Sequence, residues 1–108
     1  MKQQHRALRV YTYYKIDHNH KDDALIASRK VLAGLSQKQP LHTDLLMRAD
    51  QTGPEITVME VMSWPELDAQ HESELLAHYY ALAEKAFGQF DPKPHRHVEL
   101  FIAPTTGT

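Results

Sequence analysis

Residues 42–63 read HTDLLMRADQTGPEITVMEVMS, and this stretch decides the fold because its pattern is that of a β-hairpin. Residues 42–49 predict a short strand. Residues 50–54 are rich in turn-forming types, and Gly53 can adopt the positive φ that a tight turn needs. Residues 56–63 are largely apolar on both faces of an extended chain, which is typical of a central strand covered from both sides.

Helical patterns lie on both sides of this hairpin. Upstream, apolar residues at helical spacing predict a helix over residues 21–37, which must end before Pro40. Downstream, Ser63 followed three residues later by Glu66 fits a capping box at the start of a second helix. We expect that helix to run to Gly88, because glycine commonly terminates helices.

The two ends of the chain complete the sheet. Residues 7–16 and 96–102 alternate in character and predict two further strands. The order βαββαβ predicts an α+β, ferredoxin-like fold, with a four-stranded antiparallel sheet of order 4-1-3-2 and both helices on one face. Connections that cross over between parallel strands of one sheet are right-handed, and applying this crossover rule to strands 1 and 3 places them side by side and parallel. We expect one domain over residues 1–108, with an ordered core from about 6 to 102 and a mobile tail over 103–108.

The composition argues against several classes of function. The chain has 108 residues, 42% of them hydrophobic, and a formal net charge of −2, which does not favour binding to nucleic acid or to a membrane surface. It has no cysteine, and its four glycines form no phosphate-binding loop. No apolar run approaches the roughly 20 residues that span a bilayer. The basic N-terminus lacks the apolar stretch of a signal peptide, so we expect a cytoplasmic protein.

Placing both helices on one face leaves the other face of the sheet uncovered. Alternation assigns to the helix side Leu8, Val10, Leu45, Met47, Met59, Val61, Val98 and Leu100. It assigns to the open side Tyr11, Tyr13, Leu46, Arg48, Ile56, Val58, Glu60, Met62, His97, Glu99 and Phe101. The open side is too apolar to be left in water. A twofold homodimer with its two sheets face to face would cover it.

The polar members of the open side would be enclosed by such a dimer and would need partners. One interpretation is structural: Arg48 balances Glu60, and His97 is hydrogen-bonded only to fix how the two copies meet. The other is functional: the enclosed groups form a pocket that performs acid–base chemistry. In the functional interpretation the catalytic residues are His97, Glu99 and Glu60, and the ligand-binding residues are Tyr11, Tyr13 and Arg48.

Two short motifs carry a family resemblance. Residues 57–61 (TVMEV), with Arg48 upstream, and residues 96–101 (RHVELF) resemble an uncharacterised family of bacterial domains. That family is similar to the dimeric α/β-barrel group, which includes antibiotic-biosynthesis monooxygenase-like proteins. The resemblance extends over nearly the whole chain and implies a barrel built from two chains, but it supplies no established activity. The likeness to this superfamily also suggests haem binding through a histidine such as His97, whereas we expect no cofactor here.

Two pairs of alternate histidines suggest metal binding, because alternate residues of an extended chain share a face. They are His18 with His20 and His95 with His97. A dedicated metal site needs three or four converging ligands, so we expect none.

These observations lead to one expected function and two alternatives. We expect a homodimer that holds a small ligand between each sheet and its dimer mate. The first alternative is a cofactor-independent monooxygenase-like or proton-transfer enzyme acting on a small organic molecule. The second is a non-catalytic module for self-association. The expected partners are a second copy of the chain and a small molecule, with no nucleic acid and no membrane.

Overall fold

The computed structural model describes residues 6–38 and 40–103, and it has the predicted ferredoxin-like order of elements. The elements are β1 (Arg6–Asp17), α1 (Lys21–Ser36), β2 (His42–Met47), β3 (Glu55–Leu67), α2 (Ala69–Phe87) and β4 (His97–Ile102). The four strands form one sheet of order β2-β3-β1-β4, which confirms the predicted order 4-1-3-2. Apart from Ala103, the expected mobile tail lies outside the described residues.

Every pair of neighbouring strands is antiparallel. In β1 and β3, Leu8 lies opposite Trp64 and Asp17 lies opposite Glu55. The expected parallel pairing of these two strands was therefore wrong. The crossover rule applies to the strands that α1 joins, β1 and β2, and these run parallel to each other with β3 between them.

The start of α2 differs from the prediction. Strand β3 continues through Leu67, so the predicted capping box at Ser63 was wrong. Trp64 and Leu67 are 2% and 5% exposed, and extending the strand buries both of these large side chains. Asp68 caps α2 instead, because its carboxylate accepts a hydrogen bond from the backbone amide of His71 at 2.8 Å.

Two glycines lie where the sequence predicts a turn and a helix end. Gly53 in the β2–β3 turn has a φ of +107°, a backbone conformation that residues with a side chain rarely adopt. Gly88 is the C-cap of α2. A Cβ atom at Gly88 would lie 2.8 Å from the carbonyl oxygen of Glu84, so the close approach of that backbone favours glycine.

Helices α1 and α2 pack on one face of the sheet, and the core lies between them and the strands. The buried hydrophobic side chains include Leu8, Val10, Ile16, Val31, Leu35, Val58, Met62, Trp64, Leu75, Tyr79 and Phe87. Within residues 6–38 and 40–103, neither helix is long and apolar enough to cross a membrane.

The β3 side chains lie on the opposite faces to those expected. Thr12 of β1 pairs with Glu60 of β3, and both are fully buried on the helix side. The helix side of β3 carries Ile56, Val58, Glu60 and Met62. Met59 and Val61 therefore lie on the open face. Because β3 is apolar on both faces, its alternation could not decide which set meets the helices. The assignments in β1, β2 and β4 agree with the observed pairing.

Candidate functional site

Four polar and aromatic side chains meet where β1 and β4 pair on the open face. His97 lies opposite Tyr13, and their rings stack with centroids 5.2 Å apart and planes 18° apart. The Tyr13 hydroxyl donates a long hydrogen bond of 3.5 Å to Glu99 Oε2. The His95 ring meets the His97 ring edge to face, with their centroids 4.4 Å apart. We call Tyr13, His95, His97 and Glu99 the open-face cluster.

The apolar side chains elsewhere on the open face are aromatic along β1 and β4 and aliphatic along β2 and β3, and Arg9, His42 and Asp44 lie among them. Tyr11 and Phe101 contact each other edge to face at 5.4 Å. On the other half of the face, Leu46 pairs with Met59. Phe101 is 53% exposed and Leu46 is 51% exposed. Both halves therefore present apolar surface that the chain's own helices do not cover.

A groove of about 1340 Å³ lies at the end of the sheet next to the open-face cluster. Its lining includes Tyr13, His95 and His97, together with Phe90 and Pro94 from the connection between α2 and β4. Its charged lining residues include Lys15, Lys30, Asp17 and Asp23. Small-molecule pockets typically have volumes of roughly 300–1,000 Å³, so the groove is large enough for an organic molecule.

A second polar group lies on the opposite side of the sheet, inside the core. The Glu60 carboxylate is fully buried and accepts two hydrogen bonds from Arg96, at 2.6 Å to Oε2 and 2.8 Å to Oε1. Ser28 of α1 donates a third, 2.6 Å long, to Oε2. The Tyr79 hydroxyl lies 2.7 Å from Oε1 and 2.6 Å from the Thr12 hydroxyl. Because it has one proton, it donates to only one of these two oxygens at a time.

Tyr14 completes this group, because its hydroxyl lies 2.7 Å from that of Ser28. We call Tyr14, Ser28, Glu60, Tyr79 and Arg96 the inner cluster. Burial, aided by the Glu60 charge, raises the pKa of Tyr14 to about 12 and raises the pKa of Tyr79 further. Burial opposes the charge of Arg96, but its bonds to Glu60 outweigh that effect and raise its pKa. At neutral pH the two phenols are therefore neutral donors and Arg96 is a cation.

The Arg96 guanidinium also lies against three aromatic rings. Its central carbon is 4.5 Å from the Phe87 ring centroid, 5.5 Å from that of Tyr14 and 5.7 Å from that of Tyr79. These contacts supply cation–π attraction in addition to the ion pair. The Glu60 carboxylate, with donors from Arg96, Ser28 and Tyr79, has little remaining capacity to accept a further hydrogen bond.

The structure brings together some of the predicted site residues and separates others. Tyr13, His97 and Glu99 lie together, and Tyr11 is nearby opposite Glu99. Glu60 lies across the sheet from them, so its expected place on the open face was wrong. The sequence reasoning overlooked Arg96. Alternation along β4 provides the missing signal, because a chain that points His97 outward points its neighbour Arg96 inward.

Arg48 lies just beyond the end of β2 and lines the groove. Its Nε atom donates to Asp50 Oδ1 at 2.8 Å, so the expected pairing of Arg48 with Glu60 was wrong. This hydrogen bond raises the pKa of Arg48 and lowers that of Asp50. Both side chains are mostly exposed, at 61% and 76%.

The histidine pairs do not assemble a metal site in the part of the chain that the structure describes. His18 and His20 lie in a short 3₁₀ turn before α1, and His95 and His97 lie in the open-face cluster. Among residues 6–38 and 40–103, no three histidine or carboxylate side chains converge as metal ligands do.

Comparison with known proteins identifies the fold and no family. No family model matches the chain, and no curated protein matches it in sequence. A conserved Bacteroides thetaiotaomicron protein of unknown function, described as a possible oxidoreductase, has 14% identity and a TM-score of 0.66, over 91% of this chain and 98% of that chain. The solved structure of SnoaB, a cofactor-independent oxygenase from Streptomyces nogalater, is also similar. It has 15% identity to this chain and a TM-score of 0.61, over 94% of this chain and 96% of that chain.

A designed protein shares the same fold. The de novo protein Foldit4 has 13% identity and a TM-score of 0.64, over 91% of this chain and 99% of that chain. Because a designed sequence also forms this fold, the likeness to an oxygenase shows shared architecture and does not by itself show shared chemistry.

Proposed function

We propose that this chain forms a homodimer that binds a small organic molecule beside the open-face cluster. The observation that carries the proposal is the stacked Tyr13–His97 pair, which lies both on an uncovered apolar sheet face and on the wall of a groove. Apolar patches of this kind usually mark an interface or a binding site. A polar pair within such a patch supplies the orientation that a ligand needs.

The two halves of the open face complement each other in a twofold dimer. An axis that runs parallel to the strands, between β1 and β3, would place the aromatic half of one copy over the aliphatic half of the other. Such an axis keeps each row of paired residues at its own level along the strands, so Tyr11 of one copy would face the partner's Val61 and Tyr13 would face the partner's Met59. Sulfur–aromatic contacts such as the second are favourable. Sheets packed face to face lie about 10 Å apart with side chains filling the space between them, so the ligand would lie at the edge of the interface, in the groove.

The second candidate function is catalysis at the same place, by proton transfer or cofactor-independent oxygenation. His97 would act as the acid or base, Glu99 would orient it, and Tyr11, Tyr13 and Arg48 would contact the ligand. The fold shared with SnoaB supports this candidate only as analogy. Glu60 has no contact with such a ligand, because it faces the other side of the sheet.

Native mass spectrometry of untagged protein, purified gently from its own cells, tests the proposal. We expect a dimer that retains an additional mass, and we expect His97→Ala to lose that mass. Val61→Asp, which places a charge on the open face, should give a monomer, whereas Ala81→Asp on the exposed surface of α2 should not. A monomeric wild type would overturn the proposal. A dimer without a retained mass would overturn the ligand part and leave the self-association module.

A further inference from the structure

We propose that the inner cluster fixes the register of β4 and so positions the open-face cluster, with Arg96 as the positioning residue for His97. The inference rests on the proposed function only in treating His97 as part of a ligand site. It concerns two groups of side chains on opposite faces of the sheet. The peptide link between Arg96 and His97 joins them directly.

Strand β4 has little apolar packing to specify its register. It is a six-residue strand at the edge of the sheet. Leu100 and Ile102 point toward the helix side but remain 49% and 48% exposed, and Val98 is only half-buried. Register is strongly specified where one face of a strand is buried, and weakly where it is not. Apolar contacts alone therefore leave β4 free to shift along β1.

Arg96 supplies the missing constraint immediately before β4 begins. Its guanidinium is bonded to Glu60 of β3 and to Tyr79 of α2, the latter at 2.7 Å, and it packs on Phe87. A shift of β4 by one residue would withdraw Arg96 from this position. It would leave the buried Glu60 carboxylate without its cation, which is strongly unfavourable.

The same register places the open-face cluster. With Arg96 directed inward, its neighbours His95 and His97 project to the opposite side, where their rings meet. His97 then lies opposite Tyr13, and Glu99 lies within reach of the Tyr13 hydroxyl. A slip of one residue would place Arg96 or Val98 opposite Tyr13 instead. The stacked pair therefore depends on an ion pair that lies on the other face of the sheet and does not line the groove.

Nuclear magnetic resonance of the full chain tests this inference without any ligand. The variant Glu60→Leu/Arg96→Met replaces the ion pair with apolar side chains of similar size. We expect it to fold, to lose the proton contacts between the His97 and Tyr13 rings, and to show at least about tenfold faster amide exchange in β4 than wild type, with β1 and β3 little changed. Lys93→Ala, which removes an exposed ion pair with Glu84 in the same connection, is the matched control and should behave as wild type.

Arg96→Lys is the second variant, because lysine keeps the charge but cannot make the paired bonds to Glu60. We expect a partial loss of the same ring contacts and of β4 protection. If either folded variant keeps both signals at wild-type levels, the inference is wrong; if the double variant does not fold, Arg96→Lys alone decides. A monomeric protein without ligand would overturn the proposed function but would leave this outcome readable.

Discussion

The guanidinium of Arg96 meets the carboxylate of Glu60 edge to edge, with Nη1 2.6 Å from Oε2 and Nη2 2.8 Å from Oε1, across 36 residues of sequence. The Glu60 side chain is fully buried, and the Arg96 side chain is 11% exposed. Buried ion pairs of this kind are weak evidence for stability, since the cost of desolvation offsets much of the attraction. Their stronger effect is to penalise any arrangement in which one partner is missing.

Removing one partner of this pair should therefore cost more than removing both. We expect Glu60→Leu or Arg96→Met alone to lower the free energy of unfolding by about 3–5 kcal/mol, because each leaves an uncompensated buried charge. The double variant should lie within about 2 kcal/mol of wild type. Urea denaturation of all four proteins measures these differences. Losses that simply add in the double variant would contradict the coupling.

The Tyr79 hydroxyl should stabilise the fold through the inner cluster. Tyr79→Phe removes a group that contacts Glu60, Thr12 and Arg96, and we expect a loss of about 1–3 kcal/mol because a buried partner remains unsatisfied. Tyr80→Phe is the matched control, since the neighbouring ring is 51% exposed. The two midpoints in thermal or urea denaturation should differ clearly. Equal midpoints would mean that the hydroxyl contributes nothing.

The His71–Asp68 pair at the start of α2 should make stability depend on pH near neutrality. The hydrogen bond that His71 Nδ1 donates to the Asp68 carboxylate, together with the charge of that carboxylate, raises the pKa of His71 above its ordinary value of about 6.5. The contribution of this pair to stability is then fully present below about pH 6.5 and is lost as the pH rises through the raised pKa of His71 in the folded state. We expect the melting temperatures of wild type and His71→Asn to converge above that range, and a difference between them that is the same at every pH would contradict this contribution.

The buried tyrosines should weaken the fold at alkaline pH. The pKa of Tyr14 is about 12, against about 10 in an unfolded chain, so unfolding releases a proton between these values. Stability should fall as the pH rises from about 10 to about 12. Tyr14→Phe should fall less steeply over that range, and its tyrosinate absorbance should match that of wild type up to about pH 11. An earlier divergence in absorbance would show that Tyr14 ionises at an ordinary pKa.

The fold was predictable because β1 and the two helical stripes have clear periods, whereas the site depended on one strand without a clear period. In β3 both Val58 and Met59 are apolar, so neither alternation nor burial tendency indicated that Glu60 faces the helices. Trp64 has strand character in the structure, but in the sequence it stands inside a convincing capping box. The partner of Glu60 is a long-range contact, and nothing near Glu60 in the sequence points to Arg96.

The loop between α2 and β4 can vary in sequence because Arg96, the residue that follows it, is held in the core. With Arg96 as the proposed positioning residue, the start of β4 does not depend on the length or composition of residues 89–94. Those residues form part of the groove wall. Segments of different sequence could therefore be exchanged there, by evolution or by design, to change which molecules enter the groove while the Tyr13–His97 pair keeps its geometry. The segment that shapes the groove wall is thus distinct from the residues that would hold the Tyr13–His97 pair in place.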